Sequence, residues 1–187
     1  MSDMSRPERA LSAVPLDDAT LVEQARRGDD RAFATLYRRH ARYVAGVVYR
    51  VLGNDGEVDD VMQEAFTDAA LALDDLREPA GFRGWLVRIV INRIHKRLSK
   101  RRRFRFLSRA IELVHPKASD PREQRMVDEL YEALDAIPPD VRVPWVLHHV
   151  EGETLPEVAK MCDVSLATIK RRIADAEVRL ERRLHDR

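Results

Sequence analysis

Residues 81–110, GFRGWLVRIVINRIHKRLSKRRRFRFLSRA, hold eleven Lys or Arg and no Asp or Glu, in a chain of 187 residues whose formal net charge is only +1. Residues 55–75, DGEVDDVMQEAFTDAALALDD, invert the pattern with eight acids and no Lys or Arg. Both stretches repeat apolar residues at helical spacing. In the basic one, Leu86, Val87, Val90, Ile91, Ile94 and Leu98 share a wide face, opposite Arg88, Asn92, His95, Lys96 and Ser99, with Trp85 at the edge. In the acidic one, Val58, Val61, Met62, Ala65, Phe66, Ala69 and Leu73 turn inward and Asp59, Asp60, Gln63, Glu64 and Asp68 outward. Between them, Pro79 and Gly81 stop one helix and permit a tight loop, residues 76–82. Two amphipathic helices of opposite charge, side by side in sequence, commit this part of the chain to helix-on-helix packing.

The rest of the chain fits an all-α protein of two small helical domains. A hydrophobic share of 44%, a charged share of 35% and only seven Gly suit helices with charged outer faces. The single Cys162 excludes an internal disulfide and a thiolate zinc cluster, which fits a reducing cytoplasm. No apolar run reaches bilayer length and the segment MSDMSRPERA lacks the apolar stretch of a signal peptide, so a cytoplasmic chain without membrane insertion is expected.

Residues 1–16 lack periodicity and read as a mobile tail. Asp17 and Thr20 can cap a first helix ending near Gly28, and Asp29 or Asp30 a longer one that carries Leu36, Val44, Val47 and Val51 inward up to Gly53. His40 lies on that inward face and reads as a half-buried structural histidine. A front domain over 17–103 is followed by a linker over 104–126, marked by Pro116 and Pro121, and a rear domain over 127–187. Within the linker, FRFLSRAIELV could form a short helix that packs on the front domain or meets a partner. The rear domain opens with a helix carrying Val127, Leu130, Tyr131, Leu134 and Ile137 to Pro138-Pro139, then a second from Asp140 to His149 in which Pro144 costs a hydrogen bond unless it lies in the first turn. After Gly152, a short helix (Val158, Ala159, Cys162), a turn at Asp163, a cap at Ser165 and a basic helix (Ile169, Ile173, Ala176, Leu180 inward) have the layout of a helix-turn-helix. Its outward residues are Leu166, Ala167, Thr168, Lys170 and Arg171; an ordinary helical hairpin is the alternative.

A cationic stripe with an amide and a bordering indole offers charge to phosphates, a donor and acceptor to base edges, and a ring for stacking. Nucleic acid uses all three, although a solvated basic face with Trp85 in the core is also compatible. Loop 76–82 lies where a splayed base could be held. The acidic face either balances charge or docks a basic protein partner. Asp59 and Asp60 diverge by 100°, as do His148 and His149, so neither pair makes a metal site. No converging acid, His or Cys cluster suggests an enzyme or a cofactor.

Four segments in order, LVEQARRGDDRAFATLYRRH at 21–40, DDVMQEAFTDAALALDDLR at 59–77, FRGWLVRIVINRIHKRLSKRRR at 82–103 and AIPPDVRVPWVLHHVEGETLPEVAKMCDVSLATIKRRIADAEVRL at 136–180, resemble an extracytoplasmic-function sigma factor of bacterial RNA polymerase. The resemblance implies a promoter-specificity subunit with no catalytic residue. Its partners would be core RNA polymerase, through the clamp helices and flap, and promoter DNA, with an anti-sigma factor a further expectation. Asp59, Asp60, Gln63 and Glu64 would dock on polymerase. Phe82, Trp85, Arg88, Asn92, Lys96, Arg97 and Lys100 would open and hold the -10 element, and His148, Ser165, Ala167, Thr168, Lys170 and Arg171 would contact the -35 element. The linker would thread near the RNA path. The sequence departs from the family at Asp163, where Gly is usual, at Asp175 and Glu177, where basic residues are frequent, at His148, where an Arg often contacts phosphate, and at Pro144. Acids beside a phosphate backbone weaken binding, which puts the -35 contact in question. A free-standing helix-turn-helix regulator leaves the acidic face without a role, and a protein-interaction adaptor leaves the basic stripe without one.

Overall fold

A computed structural model describes residues 16–53, 55–105 and 120–185, which form eight α-helices with short helical turns and no strand. The front module holds α1 (Asp18–Arg26), α2 (Asp30–Leu52), α3 (Val58–Leu71) and α4 (Phe82–Arg105); the rear module holds α5 (Pro121–Asp135), α6 (Pro139–Trp145), α7 (Leu155–Cys162) and α8 (Leu166–His185). The tail and most of the linker, including nearly all of FRFLSRAIELV, lie outside the described residues.

Side-chain caps start the first two helices. The Asp17 carboxylate accepts from the Thr20 amide at 2.8 Å, and that of Asp29 accepts from the Arg31 and Ala32 amides at 2.9 and 3.4 Å. Gly53, at φ 64°, ends α2 in the left-handed conformation that costs glycine nothing. Helices α2, α3 and α4 pack mutually around Leu36, Val44, Val47, Val61, Phe66 and Leu86, and α1 lies on α2. His40 is buried within this layer, its Nε2 2.8 Å from Asp18 Oδ2.

In the rear module, α5 starts at Pro121 rather than near residue 127, with proline at the first helical position, where its missing N–H costs nothing. Pro144 lies inside α6, beyond its first turn, and cannot donate to the Asp140 carbonyl. The backbone after it widens into a π-helical turn, Val146–Val150, closed by Glu151 N–H to the Val146 carbonyl at 3.1 Å. Thr154 and Glu157 form a reciprocal capping box at the start of α7.

The sequence suggests two modules on a flexible tether; in the structure the two are packed together. One apolar cluster runs from the front core into Val143, Val146, Leu147, Val158, Met161 and Ile169, with α4 lying on α6 and α7 and α2 on the π-turn. The last carbonyls of α2 are satisfied by an arginine from each module. Arg101 of α4 donates to the Leu52 carbonyl at 3.1 Å, and Arg142 of α6, only 4% exposed, donates to the Val51 carbonyl at 2.8 Å. Among the described residues no helix is long and apolar enough to cross a membrane.

Candidate nucleic-acid interface

Helix α4 is fixed by its apolar face. Leu86, Val87, Val90, Ile91, Ile94 and Leu98 are all buried, which fixes the rotation of the helix and leaves Arg88, Asn92, Lys96 and Lys100 exposed. Trp85 is half-buried at the edge of this stripe, its ring 5.9 Å from that of Phe82. Two of the residues expected on the DNA side lie elsewhere. Phe82 is completely buried, between the rings of Trp85 and His40, the latter 5.4 Å away; it wedges the start of α4 into the core and offers no face to a base. Arg97 turns toward α3, with its guanidinium 3.2 Å from Asp60 and 3.0 Å from Glu64. Arg93, which sequence reasoning left unassigned, pairs with Glu64 at 2.9 Å and with Asp68. The two charged helices are therefore zipped together along one edge, and part of the basic run neutralises part of the acidic one.

His95, expected on the outward stripe, is half-buried and its Nε2 has no hydrogen-bond partner. Burial holds the imidazole below its ordinary value of 6.5, against a nearby Asp140 that favours the charged form. The folded chain then resists a proton that the unfolded chain accepts, so stability is lost as pH falls through the ordinary histidine range. The melting temperature is expected to drop between about pH 7.5 and pH 5.5, and His95→Gln to flatten that slope relative to wild type; an unchanged slope contradicts this account of His95.

The acidic helix leaves Asp59, Asp60 and Gln63 exposed and Glu64 half-exposed. Beside them lies a groove of 540 Å³ lined by Phe33 and Tyr37 of α2 and Met62, Phe66 and Leu71 of α3. Tyr37, 43% exposed, stacks edge-on over Phe66 at 4.5 Å, and Leu71 is 82% exposed. Apolar residues left open beside acids form a surface suited to an amphipathic, basic partner helix. Sequence reasoning gave Phe33 and Tyr37 no surface role; the signal that could have found the groove is two aromatics four residues apart on a helix whose inward stripe is already filled.

In the rear module Asp163 adopts φ 56° and ψ 44°, the left-handed turn between α7 and α8. Ser165 caps α8, its hydroxyl accepting from the Thr168 amide at 3.2 Å and lying 2.9 Å from the Thr168 hydroxyl. Ala167, Lys170 and Arg171 are exposed on the first turns of α8 and Thr168 is half-exposed. His148 is half-buried, with Nδ1 2.8 Å from the Glu153 carbonyl. A carbonyl only accepts, so Nδ1 carries the proton and the neutral ring has no second N–H for a phosphate. Of the two departing acids, Asp175 pairs with Arg179 at 2.8 Å, and Glu177 lies 3.2 Å from His149 Nε2. Burial pushes the Cys162 thiol up to about 12, which makes it a packing residue and not a nucleophile. Among the described residues no group of three or more His, Cys, Asp or Glu could hold a metal ion.

The front module sets a basic helix beside an acidic one, and the rear module carries a helix-turn-helix. The sigma-70 region 2 family model matches residues 36–104 and the sigma-70 region 4 model residues 128–180. The chain is 30% identical to the ECF RNA polymerase sigma-E factor of Escherichia coli over 183 residues, covering 90% of this chain and 95% of that one. It is also 30% identical to the ECF RNA polymerase sigma factor SigE of Mycolicibacterium smegmatis over 181 residues, covering 92% of this chain and 67% of that one. Among solved structures it is similar to CnrH in complex with the cytosolic domain of CnrY, with a TM-score of 0.67, 29% identity, and coverage of 90% of this chain and 97% of that one. The fold also matches the sigma factor RpoE in complex with the anti-sigma factor NepR from Bartonella quintana, with a TM-score of 0.64, 20% identity, and coverage of 82% and 96%. The chain belongs to the extracytoplasmic-function sigma factors of bacterial RNA polymerase. It acts with core RNA polymerase on promoter DNA to direct promoter recognition, in a family of non-enzymatic initiation factors.

Proposed function

We propose that the front module divides its two tasks between neighbouring helices. The groove of α2 and α3, rimmed by Asp59, Asp60, Gln63 and Glu64, docks on the clamp helices of polymerase. The exposed stripe of α4, with Arg88, Asn92, Lys96 and Lys100 and Trp85 at its edge, captures the unstacked non-template strand of the -10 element. Arg97 serves this surface from behind, by fixing α4 against α3. The first turns of α8, with Ser165, Ala167, Thr168, Lys170 and Arg171, approach the -35 element, with His148 beside them. The single observation that carries the reading is the composition of the α4 stripe: cations and one amide, held in register by a fully buried opposite face.

No bond is made or broken by these residues. Unstacking costs about a few kcal/mol per base step, and contacts that form only with the open strand offset it. Such contacts lower the energy of the open complex and leave the closed complex alone. The cytoplasm, where core polymerase resides, is the proposed compartment. The solved complexes of related proteins suggest an anti-sigma partner for this chain as well.

Asn92→Ala tests the α4 assignment. Loss of an amide that bonds a base edge is worth about 1–3 kcal/mol, so open complexes should fall by roughly fivefold to a hundredfold. Closed binding should stay within about twofold, because the substitution removes no charge. Permanganate reactivity of unpaired thymines reads the first quantity and filter binding at low temperature the second. Equal losses in both would remove Asn92 from strand capture.

A further inference from the structure

The first turn of α8 spends polar groups on itself. The Ser165 hydroxyl accepts from the Thr168 amide at 3.2 Å and lies 2.9 Å from the Thr168 hydroxyl. The two side chains thus cap the helix together. The residues between them carry no polar atom beyond the backbone. Leu166, the first residue of the helix, is 39% exposed, and Ala167 is exposed beside it.

An apolar residue at a helix start can staple the incoming chain to the core, but here its neighbours make that contact. Val164, just before the cap, is half-buried against the main apolar cluster, and Ile169, at the fourth helical position, is completely buried within it. Leu166 belongs to neither apolar cluster of the described residues. Packing gives no reason for a leucine at this place. Lys170 and Arg171, four residues on from Leu166 and Ala167, are exposed as well. The leading end of α8 presents two apolar tips with a cation one turn behind each.

The partner this module meets is promoter DNA. In a helix-turn-helix the first residues of the second helix lie at base edges in the major groove. There each base offers hydrogen-bonding groups, and thymine alone adds a methyl, at C5. A side chain without donors or acceptors gains by covering that methyl and leaves the polar edge of any other base unpaired.

We infer that Leu166 and Ala167 select thymine, each packing on the C5 methyl of one of two neighbouring base pairs in the -35 element. This rests on the assignment of α8 to the -35 duplex and adds the base that its first turn reads. Lys170 and Arg171 supply attraction, to phosphate or to guanine, and the apolar pair supplies discrimination.

The test uses the full-length chain assembled with core polymerase. The holoenzyme selects duplexes from a pool randomised across the -35 region, and the tightest selected duplex becomes the probe. Thymine should be enriched at neighbouring positions. Replacing either thymine by deoxyuridine, which pairs identically and lacks only the methyl, should weaken closed binding about fourfold. Leu166→Ala should erase the penalty at one of the two positions and keep it at the other. Leu166→Arg, carried through the same selection, should exchange that A·T pair for a G·C pair. Both variants should melt as wild type does, because the position is exposed. Absence of thymine from the selected duplexes overturns the inference. So does equal binding of the thymine and deoxyuridine duplexes while Lys170→Ala with Arg171→Ala weakens both, which leaves α8 at the -35 element. A deoxyuridine penalty that survives Leu166→Ala at both positions moves the methyl contact to other residues and overturns it too. If Lys170→Ala with Arg171→Ala binds the selected duplex as well as wild type does, α8 is removed from the -35 element and the thymine reading falls with it.

Discussion

Asp59→Arg combined with Gln63→Arg is expected to abolish transcription from any promoter this chain serves and to weaken binding to core polymerase by more than about a hundredfold. Both positions are exposed at the rim of the groove between α2 and α3. Neither takes part in the ion-pair zipper that ties α3 to α4 through Asp60, Glu64, Asp68, Arg93 and Arg97. Reversal there sets like charge against a basic partner without disturbing the fold, because exposed helix positions tolerate arginine at little cost. Reversing Asp60 and Glu64 gives a less clean result: it also places cations beside Arg93 and Arg97, so the fold and the docking fail together. Native melting with lost core binding is the expected result for the rim variant, and retained core binding would move the docking surface elsewhere.

Arg142→Ala should cost about 3–5 kcal/mol of folding stability, the scale for stripping a buried charge from its partners. Against a total of about 5–15 kcal/mol this approaches unfolding. Arg142 donates to the carbonyls of Val51 at 2.8 Å, Asp135 at 3.0 Å and Ile137 at 3.2 Å, and lies 3.4 Å from the Asp135 carboxylate. Truncation leaves those acceptors buried without their donor, including the last turn of α2 in the other module. Lysine should recover little, because one ammonium cannot fork to acceptors on three sides. Urea denaturation measures the loss; a cost below about 1 kcal/mol would mean that Arg142 is a surface-type contact in spite of its burial.

What the sequence disclosed was local. The caps at Asp17, Asp29 and Ser165, the buried faces of α3 and α4 and the turn at Asp163 all follow from residues within a few positions of each other, and so does the helix-turn-helix. What it concealed depends on pairing across distance: Tyr43 meets Glu153 across 110 residues and Arg88 meets Asp163 across 75. Phe82 was misplaced because a helical wheel ranks faces but does not show how deep the first residue of a helix sits. Arg97 was misplaced for a different reason, since it lies only 100° from Lys96 and the wheel alone leaves it at the stripe's edge. The clue was present: acids at 60, 64 and 68 and arginines at 93 and 97 step by four on consecutive helices, the spacing of two edges laid together. Pro144 removes one donor from the helix expected over Asp140 to His149, and the backbone after it widens into a π-turn.

Run-off transcription on two templates, one fully duplex and one with the -10 region already unpaired, tests the division between α3 and α4 most directly. On the duplex both Asn92→Ala and the Asp59/Gln63 rim variant should be defective. On the unpaired template, where no stacking has to be broken, Asn92→Ala should recover most of the wild-type output while the rim variant stays silent. Recovery of both, or of neither, would contradict the assignment of strand capture to one helix and polymerase docking to its neighbour.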